Sequence, residues 1–275
     1  MTDSIVYNIS VEMIEKYRGE NLIVRSHDPS ELVKKLNEED LDKLSYVQIH
    51  TLGVGIDDLL GWEYAVPIDL AVQNPLTDLP LLYQYAPLLT NHAVRVSVPV
   101  APGFLNLAKL AISLDFSVKL EVLQPGRTLF EEMIQLAHYY LHQSTVSKPI
   151  EYFHSLFLAF YHNTPLTLWS IQEEDPTRIR YITDQGEEAV SKRFTEMGPA
   201  PDSVLVIRKF IEARAAFQEE CDACEFRVNC SGYFKWPRPD YNCDGAKSVF
   251  RMLKDAAIEL RKDLAQLGER GENRS

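Results

Sequence analysis

The sequence predicts an α/β protein: a mostly parallel sheet of βα units forming a partial barrel, then a cysteine-rich C-terminal extension and a terminal helix. Three observations lead to this prediction. Short apolar runs alternate with helix-like segments between about residues 20 and 145. All four cysteines lie in one segment, Cys221–Cys243. Apolar residues then recur at helical spacing between Gly245 and Leu267.

Five runs are typical of buried strands, because they are short, apolar and rich in β-branched residues. They are NLIVRS (21–26), YVQIHTL (46–52), VPIDLAV (66–72), VRVSVPV (94–100) and VKLEVLQ (118–124). Five strands alternating with helices suggest an open or incomplete barrel rather than a closed barrel of eight.

Helix-like segments lie between or after these strands. They are DPSELVKKL (28–36), GFLNLAKLAISL (103–114) and TLFEEMIQLAHYYLHQ (128–143). In the first, we expect Asp28 to be the N-cap, Pro29 to take the first helical position and Glu31 to complete a capping box. Thr128 and Glu131 have the same capping-box spacing in the third.

The pattern changes after residue 145. It predicts helices over IEYFHSLFLAFYH (150–162) and PDSVLVIRKFIEARAAF (201–217), and strands over LTLWSI (166–171) and RIRYIT (178–183). Asp202 is the expected cap of the second helix. The strands would form a hairpin or two late strands around an acidic turn, in which we expect Glu173, Glu174 and Asp175 to be solvated.

Composition argues against several classes of function. Hydrophobic residues make up 45% of the 275 residues, enough for one large domain or a domain with a small appendage. A net charge of −12 disfavours a nucleic-acid partner, which would need a basic surface. The sequence has neither a run of about 18 uncharged apolar residues nor a signal-peptide pattern. We therefore expect a cytoplasmic protein with no membrane partner.

The cysteine spacing, C-x2-C-x5-C-x12-C, is typical of a metal site, and it makes Cys221, Cys224, Cys230 and Cys243 the candidate ligands. In a reducing cytosol, such a group indicates metal binding or catalysis rather than disulfides. Two centres fit: a four-thiolate Zn²⁺ site and a four-thiolate [4Fe–4S] cluster. Zinc ribbons pair C-x2-C with C-x2-C, so the C-x12-C half weakens the ribbon interpretation without excluding zinc.

Aromatic residues share this segment. They are Phe226, Tyr233, Phe234, Trp236 and Tyr241. Such rings could shield a cluster from water, or they could form the small core of a metal-stapled appendage. The sequence leaves both roles open.

The segment CDACEFRVNCSGYF, with its distant fourth cysteine, resembles the SPASM domain, a C-terminal extension of many radical SAM peptide-modifying enzymes. The family pattern is C-x2-C-x5-C-x3-C followed by a final cysteine, and here Phe234 stands at the x3 cysteine position. The resemblance implies that Cys221, Cys224, Cys230 and Cys243 bind one auxiliary [4Fe–4S] cluster. It also implies that the second auxiliary cluster of the family is lost.

The upstream βα units resemble the partial barrel of a radical SAM domain, without the C-x3-C-x2-C loop that holds the catalytic cluster. We therefore expect a degenerate barrel over residues 1–200, with no radical SAM catalysis of its own, and a SPASM-type iron–sulfur domain over 201–275. Stand-alone SPASM proteins of the GeoRSP type accompany radical SAM enzymes in peptide maturation. The resemblance implies a non-catalytic partner that binds a precursor peptide or radical SAM enzyme, or relays electrons. The alternatives are a zinc-stapled binding module and a barrel enzyme that uses no cluster.

Two other features could hold ligands. His138 and His142 are four residues apart on a helix, but no acidic residue completes an H-E-x-x-H motif, so we interpret them as exposed. Gly126 and Arg127 follow a strand and could bind an anion there, although a capped loop accounts for them equally well.

Overall fold

A computed structural model describes residues 5–175, 177–189, 218–236 and 238–272. Within these ranges, eight strands form one sheet. The strands are β1 (Val6–Ser10), β2 (Asn21–Ser26), β3 (Leu44–Ile49), β4 (Ile68–Ala71), β5 (Val94–Pro99), β6 (Ser117–Glu121), β7 (Ile179–Ile182) and β8 (Glu188–Ala189).

The sheet is open, with strand order β6-β5-β4-β3-β2-β1-β7-β8. All neighbouring strands from β6 to β7 are parallel, and only β8 pairs antiparallel, with β7. The mixed α/β class and the mostly parallel sheet are therefore confirmed. The five strands predicted in the βα units correspond to β2 to β6, and β7 was predicted as a late strand, but β1 and β8 were missed.

Helices connect and flank the strands. The α-helices are α1 (Ile14–Tyr17), α2 (Pro29–Lys35), α3 (Glu38–Leu41), α4 (Ile56–Leu60), α5 (Pro75–Asp78), α6 (Phe104–Ser113), α7 (Arg127–His142), α8 (Glu151–His162), α9 (Leu168–Ile171), α10 (Gln218–Asp222), α11 (Arg227–Cys230) and α12 (Asp244–Glu272). The 3₁₀ helices cover Val11–Met13, Leu79–Thr90 and Tyr233–Lys235. In the described ranges, no helix combines the length and apolar character needed to cross a membrane.

The helix caps differ in part from the prediction. Asp28 caps α2 as expected, since its side chain accepts a hydrogen bond from the Ser30 backbone N–H at 2.9 Å. Glu31 does not complete a capping box, because the Asp28 N–H donates instead to the Ser26 hydroxyl at 3.0 Å. Thr128 is not a cap either, because α7 begins at Arg127 and its N-cap residue is Gly126.

The segment after α8 also differs from the prediction. Residues 166–171 do not form a strand, because residues 168–171 form helix α9. Thr167 caps this helix, since its hydroxyl accepts a hydrogen bond from the Ser170 N–H. Strand β7 does form within the predicted range 178–183, but it pairs in parallel with β1 rather than in a hairpin with residues 166–171. The helix predicted over 201–217, with its cap Asp202, lies outside the described residues.

The two faces of the sheet differ in chemistry. One face carries apolar side chains, such as those of Val24, Val47 and Val96, which are fully buried in the main hydrophobic core. The opposite face, which we call the polar face, carries Gln48, Asp69, Arg95, Ser97 and Lys119 on β3 to β6. This division follows from the alternation of side chains along each strand.

The polar face is concave. Five strand spacings separate β1 from β6, which would be about 24 Å in a flat sheet. Nevertheless, Asn8 of β1 and Lys119 of β6 line the same small cavity. The sheet must therefore curve so that its polar face lines an interior.

The C-terminal helix fastens the cysteine segment to this sheet. Helix α12 packs against α7 and α8, with Val249, Phe250 and Leu253 buried in the same core as the strands. The predicted amphipathic helix is thus confirmed. The boundary predicted between residues 200 and 201 lies outside the described residues.

Candidate metal centre

We use "cysteine segment" for residues 218–243, of which all but Pro237 are described. Cys221 lies in α10, Cys224 in the turn that follows, and Cys230 is the last residue of α11. Cys243 directly precedes α12. The Cys224 N–H donates to the Cys221 carbonyl at 3.2 Å, which closes the C-x2-C turn. After α11, Ser231 and Gly232 both have positive φ, at 48° and 75°, and reverse the chain.

All four predicted ligands line a single cavity, which we call the cysteine cavity. Its volume is about 30 Å³, and all four cysteines are half-buried. Cys221 and Cys243 are the first and last of the four cysteines in the sequence. Because they are far apart along the chain, tertiary structure brings them to the same cavity.

Aromatic rings enclose the cysteine cavity. Phe226, Phe234 and Phe250 line it and are at most 1% exposed. Phe226 and Phe250 meet edge to face with centroids 5.2 Å apart. The rings also reach the main core, since Phe234 lies 6.0 Å from Phe130 of α7. The two roles left open by the sequence are therefore compatible: the same rings shield the cavity and belong to a core.

Burial makes two of these thiols, those of Cys230 and Cys243, hard to ionise. It raises the pKa of Cys230 to about 11, although backbone N–H groups of Phe234 and Tyr233 act in the opposite direction. Burial is also the main cause that raises the pKa of Cys243 to about 12. Both thiols are thus protonated at neutral pH when no metal is bound. A metal that takes up thiolates here would have to release protons.

A buried lysine lies beside the thiols. Lys235 lines the cysteine cavity, is 4% exposed, and donates to the Glu220 carboxylate at 2.6 Å and to the Tyr241 carbonyl at 2.8 Å. Burial alone would lower the pKa of Lys235, but its bond to Glu220 and the neighbouring Cys243 and Cys221 raise it above its ordinary value. Lys235 therefore carries a positive charge at neutral pH.

The fit of the two metal centres can be compared with this arrangement. Around one Zn²⁺, four sulfurs at about 2.3 Å from the metal lie about 3.8 Å from each other. Within the described residues, no three His, Cys, Asp or Glu side chains are grouped to hold one ion. In a [4Fe–4S] cluster, each thiolate binds a different iron, so the four sulfurs lie farther apart than around one Zn²⁺ and surround a common space. The side chains of the four cysteines line one common cavity, which agrees with the cluster in the choice of ligands.

The cysteine segment is attached at the carboxyl end of β6. The side-chain amide of Gln124 donates to the Phe234 carbonyl at 2.8 Å, and the Tyr241 hydroxyl donates to the Pro125 carbonyl at 2.6 Å. From the other side, the Trp169 indole donates to the Ser231 carbonyl at 3.1 Å. These hydrogen bonds attach the cysteine segment to the rest of the protein, and none of them involves a thiol.

A second polar constellation, which the sequence analysis missed, lies on the polar face. Glu173 accepts hydrogen bonds from the Tyr46 hydroxyl at 2.7 Å, from Arg95 at 3.1 Å and from Lys119. The interpretation of Glu173 as a solvated turn residue was therefore wrong. Its backbone has φ of 58°, and the preceding Gln172 bonds to the β6 backbone, so the loop turns the carboxylate inward.

The ion pairs of this constellation continue across the sheet. Arg95 also bonds Asp69 at 3.0 Å, and Asp69 accepts from Ser97 at 2.8 Å and Gln48 at 3.0 Å. Burial alone would raise the pKa of Glu173, but Lys119 and Arg95 hold it well below its usual range. A signal was present in the sequence: polar residues recur at alternate positions of β5 and β6, whose other residues are all apolar.

The remaining candidates lie on the surface. His138 and His142 are exposed on α7 with ring centroids 4.4 Å apart, as predicted. Arg127 is 94% exposed and pairs with Glu131 of its own helix at 3.1 Å. It borders a groove of about 760 Å³ between α7 and the start of α12.

Comparison with known proteins adds no relative. No family model matches the chain, and no curated protein is significantly similar to it. The likeness to SPASM proteins thus depends on the cysteine spacing and on the order of βα units.

Proposed function

We propose that the chain is an iron–sulfur protein that binds one [4Fe–4S] cluster through Cys221, Cys224, Cys230 and Cys243. One observation carries the proposal: these cysteines, the only four of the chain, all line one cavity walled by buried phenylalanines. A bound cluster would supply one-electron redox chemistry. The chain's own residues hold it, exclude water through the phenylalanine rings, and donate backbone N–H groups to Cys230.

We further propose that the sheet is a radical SAM-like partial barrel without catalysis of its own. All cysteines belong to the cysteine segment, so none remains in the sheet region for a catalytic cluster. Glu173 also neutralises the interior cations Arg95 and Lys119, which supports a structural role for that face.

In this proposal the protein serves a radical SAM enzyme that modifies a peptide, by binding the enzyme or the precursor peptide or by relaying electrons. Its support is the resemblance of the cysteine segment to SPASM domains together with the thiol-free sheet. A radical SAM enzyme and a short peptide encoded beside this chain would allow a direct test. We expect the chain to bind one of the two in a titration, and binding to neither would refute the partner role.

The metal assignment is tested on full-length protein purified without oxygen. We expect about four iron and four sulfide per chain and a visible absorption band that bleaches with dithionite. The C230S variant should lose most of the iron, whereas the control S248A, altered on α12 outside the cysteine cavity, should retain it. About one zinc without sulfide, even after anaerobic reconstitution with iron, would refute the cluster and establish the zinc alternative.

A further inference from the structure

The charges around the cysteine cavity are unevenly buried. Three cations line the cavity, and among them Lys235 is the most buried, with a side chain 4% exposed against 25% for Lys247 and 55% for Arg227. Arg227 pairs with Asp222 at 3.2 Å, and Lys247 is 3.8 Å from Glu220. Water and salt screen exposed charges much more than buried ones, so Lys235 acts most strongly on the cavity.

Lys235 lies close to one thiol in particular. Its Nζ is 2.8 Å from the Tyr241 carbonyl oxygen, and the Cys243 Sγ is 3.7 Å from the same oxygen. The ammonium and the sulfur therefore cannot be farther apart than the sum of these two distances. The other partner of Lys235 is Glu220, which carries the opposite charge and also lines the cavity.

We propose that Lys235 and Glu220 set the reduction potential of the bound cluster in opposite directions. The inference depends on the proposed [4Fe–4S] centre. A cluster with four thiolates carries a net charge of −2 when oxidised, and it takes up one electron to reach −3. A buried cation stabilises the more negative state and raises the potential. The Glu220 carboxylate opposes that effect.

Because the two charges act in opposite directions, a change in the Lys235–Glu220 pair would change the reduction potential of the cluster and therefore its electron transfer. A partner that pulled Glu220 away from Lys235 would leave the ammonium facing the cluster alone. Glu220 is accessible to such a partner, because 51% of its side chain is exposed, whereas Lys235 is enclosed. Lys235 is thus a buried positive charge that raises the reduction potential, and Glu220 is the exposed negative charge that opposes it.

The test is a redox titration of cluster-loaded full-length protein, followed by the bleaching of the visible band. K235M should shift the midpoint potential to more negative values, and E220Q should shift it to more positive values. K235R keeps the charge and should stay close to wild type. K262M is the matched control, because it removes a lysine charge about 28 Å along α12 from Cys243 and should cause no shift.

Several outcomes would overturn the inference. Shifts of K235M and E220Q in the same direction would show a structural disturbance rather than a charge effect. Unchanged potentials in both, with normal iron content, would refute the inference and leave the proposed cluster intact. If K235M does not fold, the sign of the shift in E220Q still decides, because a shift to more negative values or no shift would refute the inference. If the wild-type protein binds no iron, the proposed function fails first and the inference fails with it.

Discussion

Replacing Glu173 with Gln tests the polar face. The change keeps the shape of the side chain but removes the charge that neutralises Lys119 and Arg95. Arg95 retains Asp69 and Glu151, whereas no other acid pairs directly with Lys119 in the described residues. Breaking one side of a buried ion pair costs about 3–5 kcal/mol. Because Glu173 is 23% exposed, we expect the free energy of unfolding of E173Q to fall by about 3 kcal/mol.

This loss should appear as a drop in Tm of about 5 °C for a chain of this size. The pKa of Glu173 is depressed in the folded protein, so its contribution is complete above the unfolded-state value of 4.5. That contribution is lost as the pH falls toward the folded-state pKa. The difference between wild type and E173Q should therefore be full at pH 7 and should shrink as the pH falls from about 5 to 2.

The assay is urea unfolding of both proteins at neutral and acidic pH. E131Q is the control, because Glu131 pairs with the exposed Arg127 and such surface pairs contribute at most about 1 kcal/mol. The K119M/E173Q double variant should be more stable than the sum of its single changes predicts. If E173Q stays within about 0.5 kcal/mol of wild type at pH 7, a value typical of surface changes, the polar face is not held by this ion cluster.

Three further predictions concern packing, backbone and thiols. In G245A, an added Cβ would lie 2.5 Å from the Phe130 ring, so the free energy of unfolding measured in urea should fall by about 1–3 kcal/mol. Replacing a glycine within a helix usually raises this free energy, so an increase in G245A would contradict the close contact. Asn163 ends α8 at φ 54°, so in thermal unfolding N163G should raise Tm and N163A should lower it, each by about 1–3 °C; the reverse order would contradict this conformation. C230S should lose its iron in metal analysis while its far-UV circular dichroism stays close to wild type, and loss of that spectrum would show that the metal is needed for folding.

The strands were the most predictable elements. NLIVRS matches β2 residue for residue, because a parallel strand that is buried on both faces has a nearly continuous apolar run, here Leu22 to Val24. β1 was missed since VYNIS is short and interrupted by Asn8, whose side chain lies on the polar face. β7 lies beside β1 only through tertiary pairing, and nothing local in RIRYIT encodes a parallel partner far away in the sequence.

The two sites differ in how far the sequence reveals them. Cysteine is rare in this chain, so the grouping of all four marks the cysteine segment directly. Glu173 belongs to an acidic run, and such runs are usually solvated; its inward direction depends on the positive φ and on the bonds of Gln172 to β6. Those long-range bonds have no counterpart in local sequence.

The attachment of the cysteine segment bears on what a metal bound there would do. A metal staple is needed where a small unit lacks a core, as in zinc fingers that unfold without their ion. Here Phe226, Phe234 and Phe250 are buried in a core continuous with the sheet, and each such ring contributes about 1.5–3 kcal/mol. Gln124 adds a hydrogen bond that no thiol takes part in. The segment therefore has the means to stay docked without metal, and we infer that a metal bound here serves the chemistry of the site rather than the stability of the fold.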